Sequence, residues 1–271
     1  MRLLNQIPSR AVRPLLIILP FLAVLAMYWI ASEIRLAANP QDKILPSPAT
    51  IISTAERLMT EGDRRTGRIL FWYDTAISLQ RLAIGVGLAS LTGLIFGLLI
   101  GLIPYARTTL SGFVAFASMV PPLALLPILF IVFGLGEVSK IMLIYIGITP
   151  FLVRDLASRT VEIPHEQIVK AQTLGASTGV IALRVALPQL LPRLLQAIRL
   201  ALGPAWLFLI AAEAIAATDG LGYRIFLVRR YMSMDVILPY VAWITLLAFL
   251  FDWLLATLSR RLFPWNAQGA H

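Results

Sequence analysis

The chain has 271 residues, of which 59% are hydrophobic and only 14% charged, against the usual quarter of charged residues in a globular domain. Its apolar residues fall in blocks of about twenty or more, too long for core helices and matched to the hydrocarbon thickness of a bilayer, which excludes an ordinary soluble fold. There is no cysteine, there are two histidines, and the formal charge is +9; disulfides and thiol chemistry are excluded and a histidine metal site has little to draw on. In a membrane chain a basic excess collects on cytoplasmic loops, so it does not point to nucleic acid.

Period-2 alternation is missing, so the spans are expected to be helices rather than barrel strands. In chain order, Arg2, Arg10 and Arg13 precede an apolar run at 15–30. A signal peptide looks similar, but the cleavage signal is weak and Met27-Tyr28-Trp29 has the character of an interfacial belt. Residues 1–35 are therefore read as a tail and an uncleaved first membrane helix. Residues 36–74 form a periplasmic segment, in which Pro46-Ser47-Pro48 forces an extended turn and 50–59 reads as an amphipathic helix on the membrane surface.

Residues 75–259 read as the membrane core. The second span is expected at 76–103, with Gly93, Gly97 and Gly101 as a small-residue stripe for close helix packing and Arg81 snorkelling from its outer end. A loop at 104–109 leads to a third span at 110–133, interrupted by Pro121-Pro122 and Pro127. Such breaks at membrane depth occur only beside protein or a cavity and mark either a kink or a lined pathway. After the turn Gly134-Leu135-Gly136-Glu137 and Lys140, the fourth span is expected at 141–153, ended by Arg154 and Asp155. A polar stretch at 162–192 follows, then the fifth span at 198–217, a loop at 218–235 and the sixth span at 236–258. Residues 260–271 form a cytoplasmic tail with Arg260 and Arg261. Six spans put both termini on one side, which a slight excess of Lys and Arg makes the cytoplasmic one.

Few residues carry chemistry. Glu213 and Asp252 are acidic residues at membrane depth, where charge is expensive and functional by default. Glu213 is expected to line or gate a pathway, or to hold the Gly220-Leu221-Gly222 loop by accepting its backbone hydrogen bonds. Asp252 is within reach of Arg260 or Arg261. Trp206 and Glu213 are seven residues apart and share a helix face; with Met119 and Leu126 of the third span they outline a candidate pathway. Gly175-Ala176-Ser177-Thr178-Gly179 matches the hydrolase elbow literally, but no strand precedes it and the only later histidine is His271. No phosphate-binding P-loop occurs, so ATP is not bound by this chain.

At the polar stretch the residues resemble a family. Ala171, Gly175 and, after nine intervening residues, Val185-x-Leu187-Pro188 resemble the "EAA" loop of type I ABC importer permeases, with Val169 and Lys170 standing where that loop has Glu and Ala. Leu45-Pro46-Ser47-Pro48, Ser78-Leu79-x-Arg81, Pro121-Pro122-Leu123-Ala124-x-x-Pro127, Phe133-Gly134-x-Gly136-Glu137 and Ala212-Glu213 with Gly220-Leu221-Gly222 are similar to the nitrate, sulfonate and taurine branch. The resemblance implies an all-α membrane protein of about six transmembrane helices with a cytoplasmic coupling loop at about 160–195. It implies a homodimer, two ATP-binding subunits docking on Glu166, Lys170, Ala171, Leu174, Gly175, Ala176, Ser177, Leu187 and Pro188, and a periplasmic solute-binding protein. It also implies a bacterial inner-membrane location and a pathway lined by Met119, Pro121, Pro122, Leu126, Trp206 and Glu213. No cofactor is expected in this chain; ATP and magnesium belong to the partner. The alternative class is an ion-coupled secondary transporter, which would normally show more intramembrane charge and two related halves.

Overall fold

The computed structural model describes residues 9, 12–40, 42–63 and 66–265, and every regular element among them is helical; Arg2, Arg10 and His271 lie outside the described residues. The chain divides into two compact units, residues 1–61 with 228–241 and residues 62–227 with 242–271.

In the first unit, α1 (Val12–Ala38) is a 27-residue helix, long enough to cross a bilayer at 1.5 Å per residue. Its polar residues face the turn that follows: the Tyr28 hydroxyl donates to the Pro46 carbonyl at 2.7 Å, and the Ser32 hydroxyl to that of Leu45 at 3.1 Å. Ser47 is extended and accepts the Thr50 N–H at 3.1 Å, with Pro48 at the head of α2 (Pro48–Thr60). A serine cap followed by proline starts a helix because neither loses a backbone bond there. A helix expected at 50–59 is present and begins two residues earlier.

The second unit is built on a seam between α3 (Leu70–Leu102) and α6 (Glu137–Val161). A Cβ placed on Gly85, Gly93, Gly97 or Gly101 would come within 2.8, 2.8, 2.6 or 2.2 Å of Ile144, Leu152, Leu156 or Thr160 respectively. The glycine stripe is thus a groove that seats α6 at near-backbone distance, as expected of small residues in membrane helices. In every pair the partner lies 59 residues further on, so the two helices run parallel. The chain between them must therefore return to the end where α3 began.

That return corrects the third span. It is a pair of helices, α4 (Pro104–Ala117) and, after a tight turn at Pro122–Leu125, α5 (Leu126–Phe133), bent by 81° at the break. Pro104 opens α4 where a loop was expected, since the first helical position needs no N–H. Pro121 and Pro122 offer no N–H and each drives the preceding residue out of the helical region; Pro121 has ψ 115. Pro127 lies in the first turn of α5. With the bent pair counted as one, the described helices long and apolar enough to cross a membrane number six.

The fourth span also differs. α6 continues through Arg154 and Asp155 to Val161 because its polar end pairs with itself, Arg159 reaching Asp155 at 3.8 Å and Glu162 at 3.2 Å. After it come α7 (His165–Thr173), α8 (Thr178–Ile181) and a wide turn at Ala182–Ala186 that passes into α9 (Leu187–Ala216). In that turn the Leu187 N–H reaches back five residues to the Ala182 carbonyl. Pro188 has no N–H for the Arg184 carbonyl, and a wide turn absorbs the mismatch. α8 and α9 thereby form one run of 39 residues, so the fifth span starts well before the expected 198. α10 (Leu221–Arg229) occupies what was read as loop, and α11 (Met234–Leu262) is the last span.

Candidate functional site

The second unit has two polar ends. At one end α6 turns through Glu162–Pro164 into α7, and Gly175 reverses the chain into α8. Gly175 has φ +79 with open space around its Cβ position, so the backbone conformation, not crowding, calls for glycine there. The Gly175 N–H donates to the Gln172 carbonyl at 2.9 Å and the Ala176 N–H to that of Ala171 at 3.0 Å, closing α7. Ser177 then caps α8, accepting the Val180 N–H. The hydrolase match is therefore a helix cap inside a helix–turn–helix, with no strand before it. Leu174 at the tip is 80% exposed. Glu166, Lys170, Gly175, Ser177 and Pro188 are exposed, while Ala171, Ala176 and Leu187 are half-buried. The Gln189 amide donates to Gln167 Oε1 at 3.0 Å, tying α9 to α7.

At the opposite end, where α3 and α6 begin and α9 finishes, charged residues converge. Arg81 is 1% exposed. Its guanidinium donates to both oxygens of Glu137 at 2.5 and 2.7 Å, to Glu213 Oε1 at 2.8 Å and to the Asp219 carboxylate at 2.5 Å. Arg81 thus does not snorkel: three carboxylates satisfy its fixed fork of donors in place. Glu213 is 0% exposed. It also accepts from the Ser78 hydroxyl at 2.7 Å and the Gly222 N–H at 2.8 Å. Asp74 accepts the Gly220 N–H at 2.9 Å and Arg224 Nε at 2.8 Å, and Ser78 Oγ accepts the Leu221 N–H at 2.9 Å.

The N–H groups at the head of α10, which have no partner within a helix, are thereby taken by α3 and α9, two of them by carboxylates suited to a helix N-terminus. Gly220 has φ +107, and a Cβ there would lie 2.5 Å from Glu213 Oε1; one on Gly222 would lie 2.6 Å from the Ile210 carbonyl. Only glycine fits either place. Sequence reading offered holding this loop as one of two roles for Glu213, beside lining the pathway, and missed Asp74, Asp219 and Arg224. The available signal was the spacing Asp74, Ser78, Arg81, which puts three polar residues on one face of α3.

Asp252 is bound by Arg199, whose Nε and Nη2 each reach a carboxylate oxygen at 2.8 Å. The expected pairing with Arg260 or Arg261 is corrected: those residues lie two turns or more further along α11, about 12 Å or more at 1.5 Å per residue. The pathway candidates are divided. Met119, at the break after α4, is 76% exposed, Pro121 is exposed and Pro122 half-buried, whereas Leu126, Trp206 and Glu213 are buried. Trp206, 5% exposed, leaves its indole N–H without an acceptor among the described residues. Among the described residues no group of three His, Asp or Glu side chains is placed to hold a metal.

Residues 89–264 match the family model described as "Binding-protein-dependent transport system inner membrane component". The chain is 35% identical over 246 residues to the taurine transport system permease protein TauC of Escherichia coli, covering 90% of this chain and 87% of that one. It is 31% identical to the putative aliphatic sulfonates transport permease protein SsuC of Bacillus subtilis, covering 82% of this chain and 78% of that one. To the nitrate import permease protein NrtB of Synechococcus elongatus it is 30% identical over 76% of this chain and 75% of that one. In solved structures, a chain of the inward-facing MetNI methionine ABC transporter superposes with a TM-score of 0.62 at 21% identity, covering 71% of this chain and 95% of that one. At that identity the likeness concerns the fold.

Proposed function

The chain belongs to the family of binding-protein-dependent transport system inner membrane components, the permease subunits of ABC importers, and from that premise we propose how it works. Two copies form a pathway for a small anionic solute of the sulfonate, taurine or nitrate kind, the compounds named for its relatives. A periplasmic binding protein delivers the solute to the end held by Arg81 and Glu213. Two ATP-binding subunits, which carry ATP and magnesium, receive the opposite end. Both termini then lie in the cytoplasm of a cell whose inner membrane the chain crosses six times.

The observation that carries the proposal is the α7–α8 reversal. It projects a bare Leu174 and a rim of Glu166, Lys170 and Ser177 beyond the bundle, a small apolar knob with polar edges suited to a groove on a soluble partner. Stiffness comes from the closed turns on either side of Gly175, so force applied at the knob reaches α6 and α9. Met119, Pro121, Pro122, Leu126 and Trp206 are assigned to the pathway beside the α4–α5 break, where backbone carbonyls lose their helical donors. Glu213 is assigned to the scaffold of that pathway.

The test is uptake into proteoliposomes by the chain with its binding protein, with and without the ATP-binding subunits, offering taurine, an alkanesulfonate and nitrate in turn. Accumulation that needs ATP hydrolysis is expected for one of them. Accumulation without the ATP-binding subunits overturns the proposal.

A further inference from the structure

A cavity of about 380 Å³ opens at the loop end of the second unit, among the last turns of α3, the first turns of α4 and the second half of α6. Its polar lining is Arg107, Ser111, Arg154 and Ser158, set among apolar residues such as Val114 and Val153, with no acidic side chain in the wall. Neither arginine has a carboxylate partner among the described residues. Asp155, next in sequence to Arg154, pairs with Arg159 instead.

Each arginine is held by neutral groups. Arg107 donates through Nε to the Ile100 carbonyl at 3.2 Å and through Nη2 to that of Gly101, capping α3. Arg154 donates through Nη1 to the Ser118 hydroxyl at 3.0 Å, at the break after α4. A guanidinium has five donors and no acceptor, so Arg107 uses two and Arg154 one. The wall therefore offers donors and positive charge, with carbonyls already engaged and no carboxylate to complete it. The chemistry that complements such a set is an oxyanion of phosphate or sulfonate geometry, for which arginine forks are matched.

We propose that Arg107, Arg154, Ser111 and Ser158 form an oxyanion site that braces α4 against α6 at the root of the loop. The anion is either a free sulfonate- or sulfate-type solute or the phosphate of an anionic lipid, since basic pockets between membrane helices take headgroups. The site stands apart from the α7–α8 knob and does not depend on which solute is transported.

The test uses the assembled importer in phosphatidylcholine nanodiscs free of anionic lipid, with radiolabelled sulfate as probe, and in parallel native mass spectrometry after exchange into phosphatidylglycerol. Saturable sulfate binding that weakens at least tenfold in Arg107→Gln/Arg154→Gln supports a site for a free anion. Retained phosphatidylglycerol that is lost in the double variant, without sulfate binding, supports the lipid source. Arg57→Gln, outside the wall, leaves either signal unchanged. If the arginine variant fails to assemble, Ser111→Ala/Ser158→Ala replaces it, with the retained probe weakened about threefold or more. Equal behaviour of wild type and variant toward both probes overturns the proposal.

Discussion

Glu213→Gln separates two roles for the one acidic residue that is fully buried near the end of α9. The carboxylate receives Ser78 and Arg81 on Oε1 and the Gly222 N–H on Oε2, at 2.7, 2.8 and 2.8 Å. Glutamine keeps the shape but turns one oxygen into a donor, so either the Gly222 N–H or the Ser78–Arg81 pair faces another N–H. Arg81 keeps Glu137 and Asp219, which limits the damage to one opposed donor and one weakened charge-assisted bond, about 2–4 kcal/mol. At about 2–4 °C per kcal/mol for a chain of this size, the thermal midpoint in detergent falls by on the order of 10 °C. Amide exchange at Gly220, Leu221 and Gly222 accelerates together, because α3 and α9 then release the head of α10. Uptake falls in step with stability and recovers partly on cooling. A variant with unchanged midpoint and exchange but no uptake would show that Glu213 acts on the solute and would refute its assignment to the scaffold.

The other predictions concern the seam, the knob, the Arg199–Asp252 ion pair and Trp206. Gly101→Val forces branched atoms into Thr160, whose Cβ lies only 2.2 Å from where a Cβ on residue 101 would sit; a loss of about 1–3 kcal/mol is expected by thermal unfolding, with partial rescue by Thr160→Gly, and no loss would contradict the seam. Gly175→Ala costs about 1 kcal/mol through backbone conformation alone, whereas Gly175→Asp places a charge beside Leu174 and abolishes co-purification with the ATP-binding subunit while membrane insertion persists; transport by that variant would remove the loop from its proposed role. Asp252→Asn costs less than about 1 kcal/mol, because both side chains of the Arg199 pair are part-exposed; a loss of several kcal/mol would mean the pair is shielded in the assembly. Trp206→Ala lowers uptake with assembly intact, and normal uptake would remove it from the pathway.

Long-range order in this chain was readable where composition alone decides it. Apolar blocks located the spans, the glycines at 93, 97 and 101 announced a close helix contact, and Gly175 between two short helical patterns announced the reversal. What escaped the reading depends on partners distant in sequence. Arg81 looked like an interfacial arginine because nothing local says that Glu137, Glu213 and Asp219 converge on it. Asp252 was matched to nearby arginines on its own helix because Arg199, 53 residues away, is invisible to spacing. The ends of α6 and α9 were cut short for a related reason: hydropathy stops at the apolar boundary, but a helix continues wherever polar side chains pair along it. The proline break was seen, yet its angle follows from how α4 and α5 return beside a parallel pair, which only the seam reveals.

That seam also determines what in the second unit can move. Because the glycine groove of α3 holds α6 at Gly85, Gly93, Gly97 and Gly101, the two helices cannot slide past one another without lifting apart, and they behave as a single rod. One tip of the rod turns directly into α7; the other carries Asp74, Ser78 and Arg81, which grip the loop ahead of α10. A displacement applied at the knob would therefore be carried by that rod toward its far end, while the α4–α5 return is broken at Ser118–Pro121. The second unit has the parts of a crank: a stiff shaft, a handle at one end and a load at the other.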